Sequence, residues 1–237
     1  MKLYLLKLAL IQPVGVPVPG YLIQANDGTN ILIDTGIAYS TIAAPQGVGG
    51  MTPQMTEEDY VVNRLAALGL TPQDVRYVVC THFDGDHAGN YDAFSDAEFI
   101  VQRSHYEFAR SGHPRFEPTR DQWERPNLHY RLIDGDVELA PGVELIETSG
   151  HVPGHQSVLV RLPETGPVLL AIDAILDQTR LNPLALAESP FDMALVGVRA
   201  STQKLTDRAQ RECVRLIICG HDSVQWLRLK HTPEFYG

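Results

Sequence analysis

Cysteine is scarce in this sequence, and so is positive charge. Three cysteines in 237 residues, Cys80, Cys213 and Cys219, are an odd number at spacings that suit neither a disulfide framework nor a zinc ribbon. Cys80 and Cys219 each end an apolar run and read as small core residues, which fits a reducing compartment. Lys and Arg total 19 against 29 Asp and Glu, for a net charge of −10, and no run of five basic residues occurs. That excludes nucleic acid or an anionic membrane surface as the main partner, because phosphate backbones require clustered cations. No apolar stretch reaches the length needed to cross a bilayer. The apolar opening, residues 1–11, is interrupted by Lys7 and followed by no small-residue cleavage site, so it reads as a strand rather than a signal peptide. A cytoplasmic protein is expected. No solenoid-length repeat is visible.

What is present is an ordinary globular balance, 44% hydrophobic and 20% charged, long enough to bury most of its apolar surface. Residues 2–11, 21–24 and 30–33 read as three strands, with Pro13, Pro17 and Pro19 breaking the first from the second and Asn26-Asp27-Gly28 as a hairpin turn. Residues 38–55 are rich in Gly, Pro and Ala without a period, and read as a lid or a disordered tip. Thr56 followed by Asp59 is a capping box opening a helix that Gly69 ends. A helix over 103–110 carries His105. Residues 111–127 form a loop or two short turns, in which Phe116 and Trp123, with Tyr130 beyond, are either pocket lining or ordinary core. His105, His113 and His129 read as surface or hydrogen-bonded histidines rather than ligands. Short strands follow over 131–133, 137–139 and 143–147, then a hairpin of 158–161 with 168–172, a helix over 200–212 and a strand over 214–219.

Chemistry concentrates at the strand ends. The buried-strand run of Val75, Tyr77, Val78 and Val79 leads into Cys80-Thr81-His82-Phe83-Asp84-Gly85-Asp86-His87-Ala88-Gly89-Asn90. Two imidazoles and two carboxylates in one short turn would be costly to bury unpaired, and nitrogen beside oxygen donors suits divalent cations. Asp34-Thr35-Gly36 ends the third strand. Gly150-His151-Val152-Pro153-Gly154-His155 follows a later one, and Asp173 and Gly220-His221-Asp222 end two more.

The turn at 82–87 resembles the His-x-His-x-Asp-His motif of the metallo-β-lactamase superfamily, with His82, Asp86 and His87 in place and Asp84 where the second histidine normally stands. The resemblance spans nearly the whole chain and implies an α/β (α+β) fold, one four-layer αββα sandwich domain over 1–237. It implies that one metal would take His82, His151 and position 84, and the other Asp86, His87 and His221, with Asp173 bridging. Asp34 and His155 would orient these ligands from behind. Two divalent ions, zinc first and manganese or iron through the extra oxygen donor, would supply a bridging hydroxide that opens a lactone or carboxylic ester, with Asp86 as proton shuttle. With three carboxylates the site would carry a charge of roughly +1 before hydroxide. In a second reading Asp84 turns away and one metal is weakly held.

Gly150 to Ser157 with Gly220-His221-Asp222 and Gln225 resembles the N-acyl-homoserine-lactone lactonase branch more specifically. That branch places a substrate-contacting tyrosine three positions after the bridging aspartate, where this chain has Leu176, so the contact is lost unless Tyr39 or Tyr130 replaces it. A small-molecule ester or lactone is the expected partner, and a homodimer follows from the habit of many such proteins. The alternatives are a glyoxalase II-type thioesterase, a diiron redox protein, and a catalytically poor metal-binding sensor on the same fold.

Overall fold

The computed structural model describes residues 1–45, 47 and 50–237. β1 (Lys2–Gln12), β2 (Val16–Gln24), β3 (Asn30–Ile33), β4 (Thr52–Gln54), β5 (Val75–Val79), β6 (Glu98–Gln102) and β7 (His129–Ile133) form one sheet, in the order β4-β1-β2-β3-β5-β6-β7. β8 (Val137–Ala140), β9 (Val143–Glu147), β10 (Gln156–Leu162), β11 (Gly166–Ile172) and β12 (Leu216–Cys219) form the other, in the order β12-β11-β10-β9-β8. The helices are α1 (Val61–Ala66), α2 (Arg103–Arg110), α3 (Arg120–Trp123), α4 (Leu195–Arg211) and α5 (Ser223–Trp226).

Alternation along the strands sets the layers. On β1, Leu3 and Leu5 join Tyr21, Ile23, Ile31 and Ile33 in a core shared with Val143, Val158, Val168 and Leu170 of the second sheet. Tyr4 and Leu6 point the other way, into a core with Leu32, Val78 and Phe99 that Val61 and Leu65 of α1 cover. Leu205 of α4 closes a third core on the outer face of the second sheet, against Leu159, Leu169 and Ala171. Strands buried on both faces lose polar alternation, which is why β1 and β5 read as near-continuous apolar runs. The result is a sandwich of two sheets with helices outside. β3, β5, β6 and β7 run parallel, as do β11 and β12, so turns carrying functional groups gather along shared sheet edges.

Several boundaries differ from expectation. β2 begins at Val16 and contains Pro17 and Pro19, which the sequence suggested as breakers. β3 pairs with β2 only over Tyr21–Gln24, so the proline-bearing half has no neighbour on that side and needs no amide donor there. The expected lid over 38–55 contains a 3-10 turn (Tyr39–Ile42) and edge strand β4; its residues 46, 48 and 49 lie outside the described residues. The Thr56–Asp59 capping box forms, but it closes a 3-10 turn before α1 rather than one continuous helix. α4 starts five residues before the expected 200, and β12 starts at Leu216 because Val214 still bonds back to Ala209 at the helix end.

Candidate metal centre

Five strands deliver the site. Asp34 follows β3, the 81–90 turn follows β5, His151 lies between β9 and β10, Asp173 follows β11, and His221 follows β12. Close backbone packing holds these turns together. A Cβ on Gly89 would sit 2.2 Å from the Ala38 nitrogen, and one on Gly150 would sit 2.2 Å from the Val198 nitrogen at the start of α4. Glycine is therefore required where the 81–90 turn meets the Asp34 turn, and where the His151 turn meets α4.

The seven donor residues come together as two sets sharing one carboxylate. His82 Nε2 and His151 Nε2 lie 3.3 and 3.2 Å from Asp84 Oδ2, and 3.8 and 3.3 Å from Asp173 Oδ2. His87 Nε2 and His221 Nε2 lie 3.8 and 3.6 Å from Asp86 Oδ2, and 3.6 and 3.2 Å from Asp173 Oδ1. Four donors about a divalent ion at roughly 2.0–2.1 Å stand about 3.4 Å apart along the tetrahedron edges. The side chains therefore fit two cations with one Asp173 oxygen facing each. His82 Nε2, His87 Nε2 and Asp173 Oδ1 are buried and make no hydrogen bond, a costly arrangement unless something charged meets them.

Each imidazole is oriented by its far nitrogen. His82 Nδ1 meets Thr81 Oγ1 at 3.0 Å, and that hydroxyl donates to Asp34 Oδ2 at 2.7 Å. His87 Nδ1 donates to the same Asp34 oxygen at 2.9 Å. His151 Nδ1 faces Asp192 Oδ1 at 3.1 Å, and His221 Nδ1 donates to the Pro17 carbonyl at 2.8 Å. In the neutral tautomer that a bound cation would select, Nδ1 carries the proton and Nε2 presents its lone pair inward. Asp34 takes up left-handed backbone (φ 58°), which aims its carboxylate back into the turn. His155 stands behind the cluster: its Nε2 accepts from the Asp173 amide at 3.2 Å, and burial pushes it well below the usual imidazole range.

The field in the cluster favours positive charge. Burial opposes protonation of His87, yet Asp86, Asp173 and Asp34 raise it to about 10; His221 and His151 are drawn up to about 8 and 9 by Asp173 and neighbouring carboxylates, against the same penalty. His82 goes the other way, lowered by burial and by His87. Asp173 is itself buried, but His221, His87 and His151 hold it well below the carboxylate range.

Two residues of the site, Arg115 and Asp192, carry no signal in the sequence. Arg115, in the patternless 111–127 loop, donates from Nε to Asp84 Oδ1 at 2.8 Å and from Nη2 to Asp84 Oδ2. Asp192 buttresses His151 and is paired in turn with Arg180. Thr81, directly before His82 in the turn, links that imidazole to Asp34. His105 is buried and bridges two turns, accepting from the Phe83 amide and bonding the Pro153 carbonyl, and burial pushes it down to about 3. Phe116 and Trp123 are core, not lining, with Trp123 stacked on Phe83 at 4.8 Å. Neither tyrosine stands in for the residue at 176: Tyr39 donates to Glu57 and Tyr130 to the Trp123 carbonyl. Leu176 lines a cleft of about 930 Å³ that opens on the cluster, with Ile11, Val16, Ile37, Met51 and Phe191 among its walls.

Comparisons with known proteins agree with this geometry. The metallo-beta-lactamase superfamily profile matches residues 14–221. An N-acyl homoserine lactonase from Bacillus sp is 37% identical over 230 residues, covering 94% of this chain and 88% of the relative. The N-acyl homoserine lactonase AttM of Azorhizobium caulinodans is 36% identical over 240 residues, covering 93% and 88%. The structure of an N-acyl homoserine lactone hydrolase with the product N-hexanoyl-L-homoserine bound at its catalytic metal center superposes with a TM-score of 0.88 at 32% identity, covering 99% of this chain and 98% of that one. Matched by the family profile over most of its length, and in sequence and fold over nearly all of it, this chain belongs to the metallo-beta-lactamase superfamily.

Proposed function

We propose that residues 1–237 act as one domain, a metal-dependent hydrolase that opens a lactone or carboxylic ester, with an N-acyl-homoserine-lactone-like substrate as the best fit. The observation that carries this reading is the pair of donor sets that both face Asp173, spaced for two divalent cations and containing three buried atoms with no other partner. His82, Asp84 and His151 would hold one cation and Asp86, His87 and His221 the other, with Asp173 between them. Bound cations would supply Lewis acidity and lower the pKa of water toward neutrality. Zinc suits the four imidazoles, and the carboxylate at 84 makes manganese or iron a closer competitor than an imidazole would.

The chain's own residues do the rest. Asp34, His155 and Asp192 fix donor orientation before substrate arrives, so no reorganisation is needed during reaction. Asp86 is the most exposed of the three carboxylates and borders the cleft, where it can pass a proton to the leaving alkoxide. The apolar walls suit an acyl chain rather than a charged carrier. Leu176 offers no hydrogen bond, so the carbonyl is polarised without the tyrosine of the lactonase branch. The relatives named as lactonases support the substrate class. The free thiols among the described residues suit the cytoplasm.

The test is metal analysis of the purified protein, followed by hydrolysis assays with lactones, aryl esters and thioesters after zinc, manganese or iron is restored. Lactone turnover with more than one cation per chain supports the reading. No turnover under any ion would sink it.

A further inference from the structure

One donor set already meets a cation belonging to the protein. Arg115 grips both oxygens of Asp84, and its Nη2 also lies 2.9 Å from His151 Nε2. Nη1 is tied to the Phe191 carbonyl at 2.7 Å, so the guanidinium is held on both sides. Nε2 also lies 3.2 Å from Asp84 Oδ2; in the tautomer that can ligate a cation, with the proton on Nδ1 toward Asp192, Nε2 carries the lone pair and accepts from Arg115. A neutral imidazole nitrogen has a single lone pair. The lone pair that would ligate a metal is therefore engaged by the arginine.

The engagement is partial. His82 Nε2 makes no hydrogen bond, and no Arg115 nitrogen lies within 4.0 Å of an Asp173 oxygen. The guanidinium thus clasps the outer edge of the set, touching two of its four donors. Around the other set no lysine or arginine among the described residues pairs with Asp86: its partners are His87 and His221 alone.

We propose that Arg115 competes with the cation at His82, Asp84 and His151, so that the two sets bind with unequal affinity and the Asp86, His87 and His221 set fills first. This rests on the metal-site reading above. Asp84 can serve Arg115 and a cation together, because a carboxylate has two oxygens and about four lone-pair sites. His151 cannot, so it decides the competition. Filling this set requires Nη2 to leave His151 and turn toward the cleft that Arg115 lines, while Nε keeps Asp84 Oδ1.

The zinc-loaded protein is titrated with a chromophoric chelator and zinc release is followed. Wild type should give two steps, separated by about tenfold or more in chelator concentration, the effect of one charge-assisted hydrogen bond and a neighbouring like charge. Arg115→Met should move the weaker step about tenfold toward tighter binding and leave the stronger step in place. Arg115→Lys keeps the charge but lacks the fork that spans two acceptors, and should fall between. A single step in wild type would overturn the proposal, as would a weaker step that stays put or weakens in a Met variant whose near-UV circular dichroism matches wild type. If the Met variant does not fold, the wild-type steps and the Lys variant decide. Lactone turnover is read separately: its absence with both unequal steps present overturns the hydrolase reading alone, and absence of bound zinc overturns both.

Discussion

The two halves of the site are built from similar donors and held by different surroundings. Around His87 and His221, orientation comes from a buried carboxylate and a backbone carbonyl, Asp34 and Pro17. Around His82 and His151, orientation involves Asp34 through Thr81, then Asp192, with Arg115 and Arg180 standing just outside. Among the described residues the first arrangement has no lysine or arginine paired with its carboxylate. The second balances each added carboxylate with a guanidinium: Asp84 with Arg115, Asp192 with Arg180. Ligand identity alone would make the halves nearly equal; what touches the ligands separates them.

The strongest test of that contrast removes what the halves share. Asp173→Ala takes one oxygen from each donor set, and should lower hydrolysis by about a thousandfold or more, as expected when transition-state stabilisation falls by several kcal/mol. Metal analysis should show both cations weakened. A loss confined to one cation would mean that Asp173 does not bridge. Asp34→Ala comes next: it frees His87 directly and His82 only through Thr81, so chelator competition should show roughly a 10–100-fold loss, larger in the His87 half. Among the seven donor residues Asp192→Asn touches His151 alone, and it also weakens the Arg180 pair. It keeps an acceptor but loses the charge, and should weaken only the His151 half, by about tenfold.

The smallest effect belongs to a group outside the cleft. Burial disfavours the Asp59 carboxylate, but Lys7, Thr56 and Arg64 outweigh it and hold the group below its usual value. A depressed folded-state pKa contributes stability above the ordinary carboxylate range that is lost as pH falls through the folded value. Asp59→Asn should therefore cost about 1 kcal/mol at neutral pH, discounted because Lys7 is solvent-exposed, and flatten the acid limb of thermal melts. Both halves should keep their metal, and a change in metal content would show that the scaffold beneath β1 is coupled to the site.

Most of the scaffold's inner logic was readable because strands buried on both faces are written as unbroken apolar runs, and polar residues at their ends are conspicuous. His82, Asp84, Asp86, His87, His151, Asp173 and His221 all stand at such ends, and the structure brings their side chains together. Arg115, Asp192 and Arg180 were not readable. They sit in loops without period, where nothing local distinguishes a site residue from a solvated charge, and their partners are 31, 41 and 12 positions away. The early start of α4 was hidden for a related reason: Gly197 is a poor helix former, accepted there because the helix must pass against Gly150. Pro17 and Pro19 misled because edge status depends on where β3 stops, which the prolines themselves do not reveal.

The hydrogen bond from His221 to the Pro17 carbonyl joins residues 204 positions apart. Nearby, Leu3 pairs with Tyr236, and Thr232 donates to the Leu5 carbonyl. A growing polypeptide on the ribosome would hold His82, Asp86 and His87 long before His221 emerges to join them. Until β12 docks on β11 and carries His221 to Pro17 of β2, the Asp86 set lacks one imidazole and the carbonyl that aims it. Cation capture at that set is thus linked to completion of the whole sandwich, and free metal should draw late intermediates toward the native state. Refolding followed with and without zinc would show this as a faster final phase rather than a faster collapse.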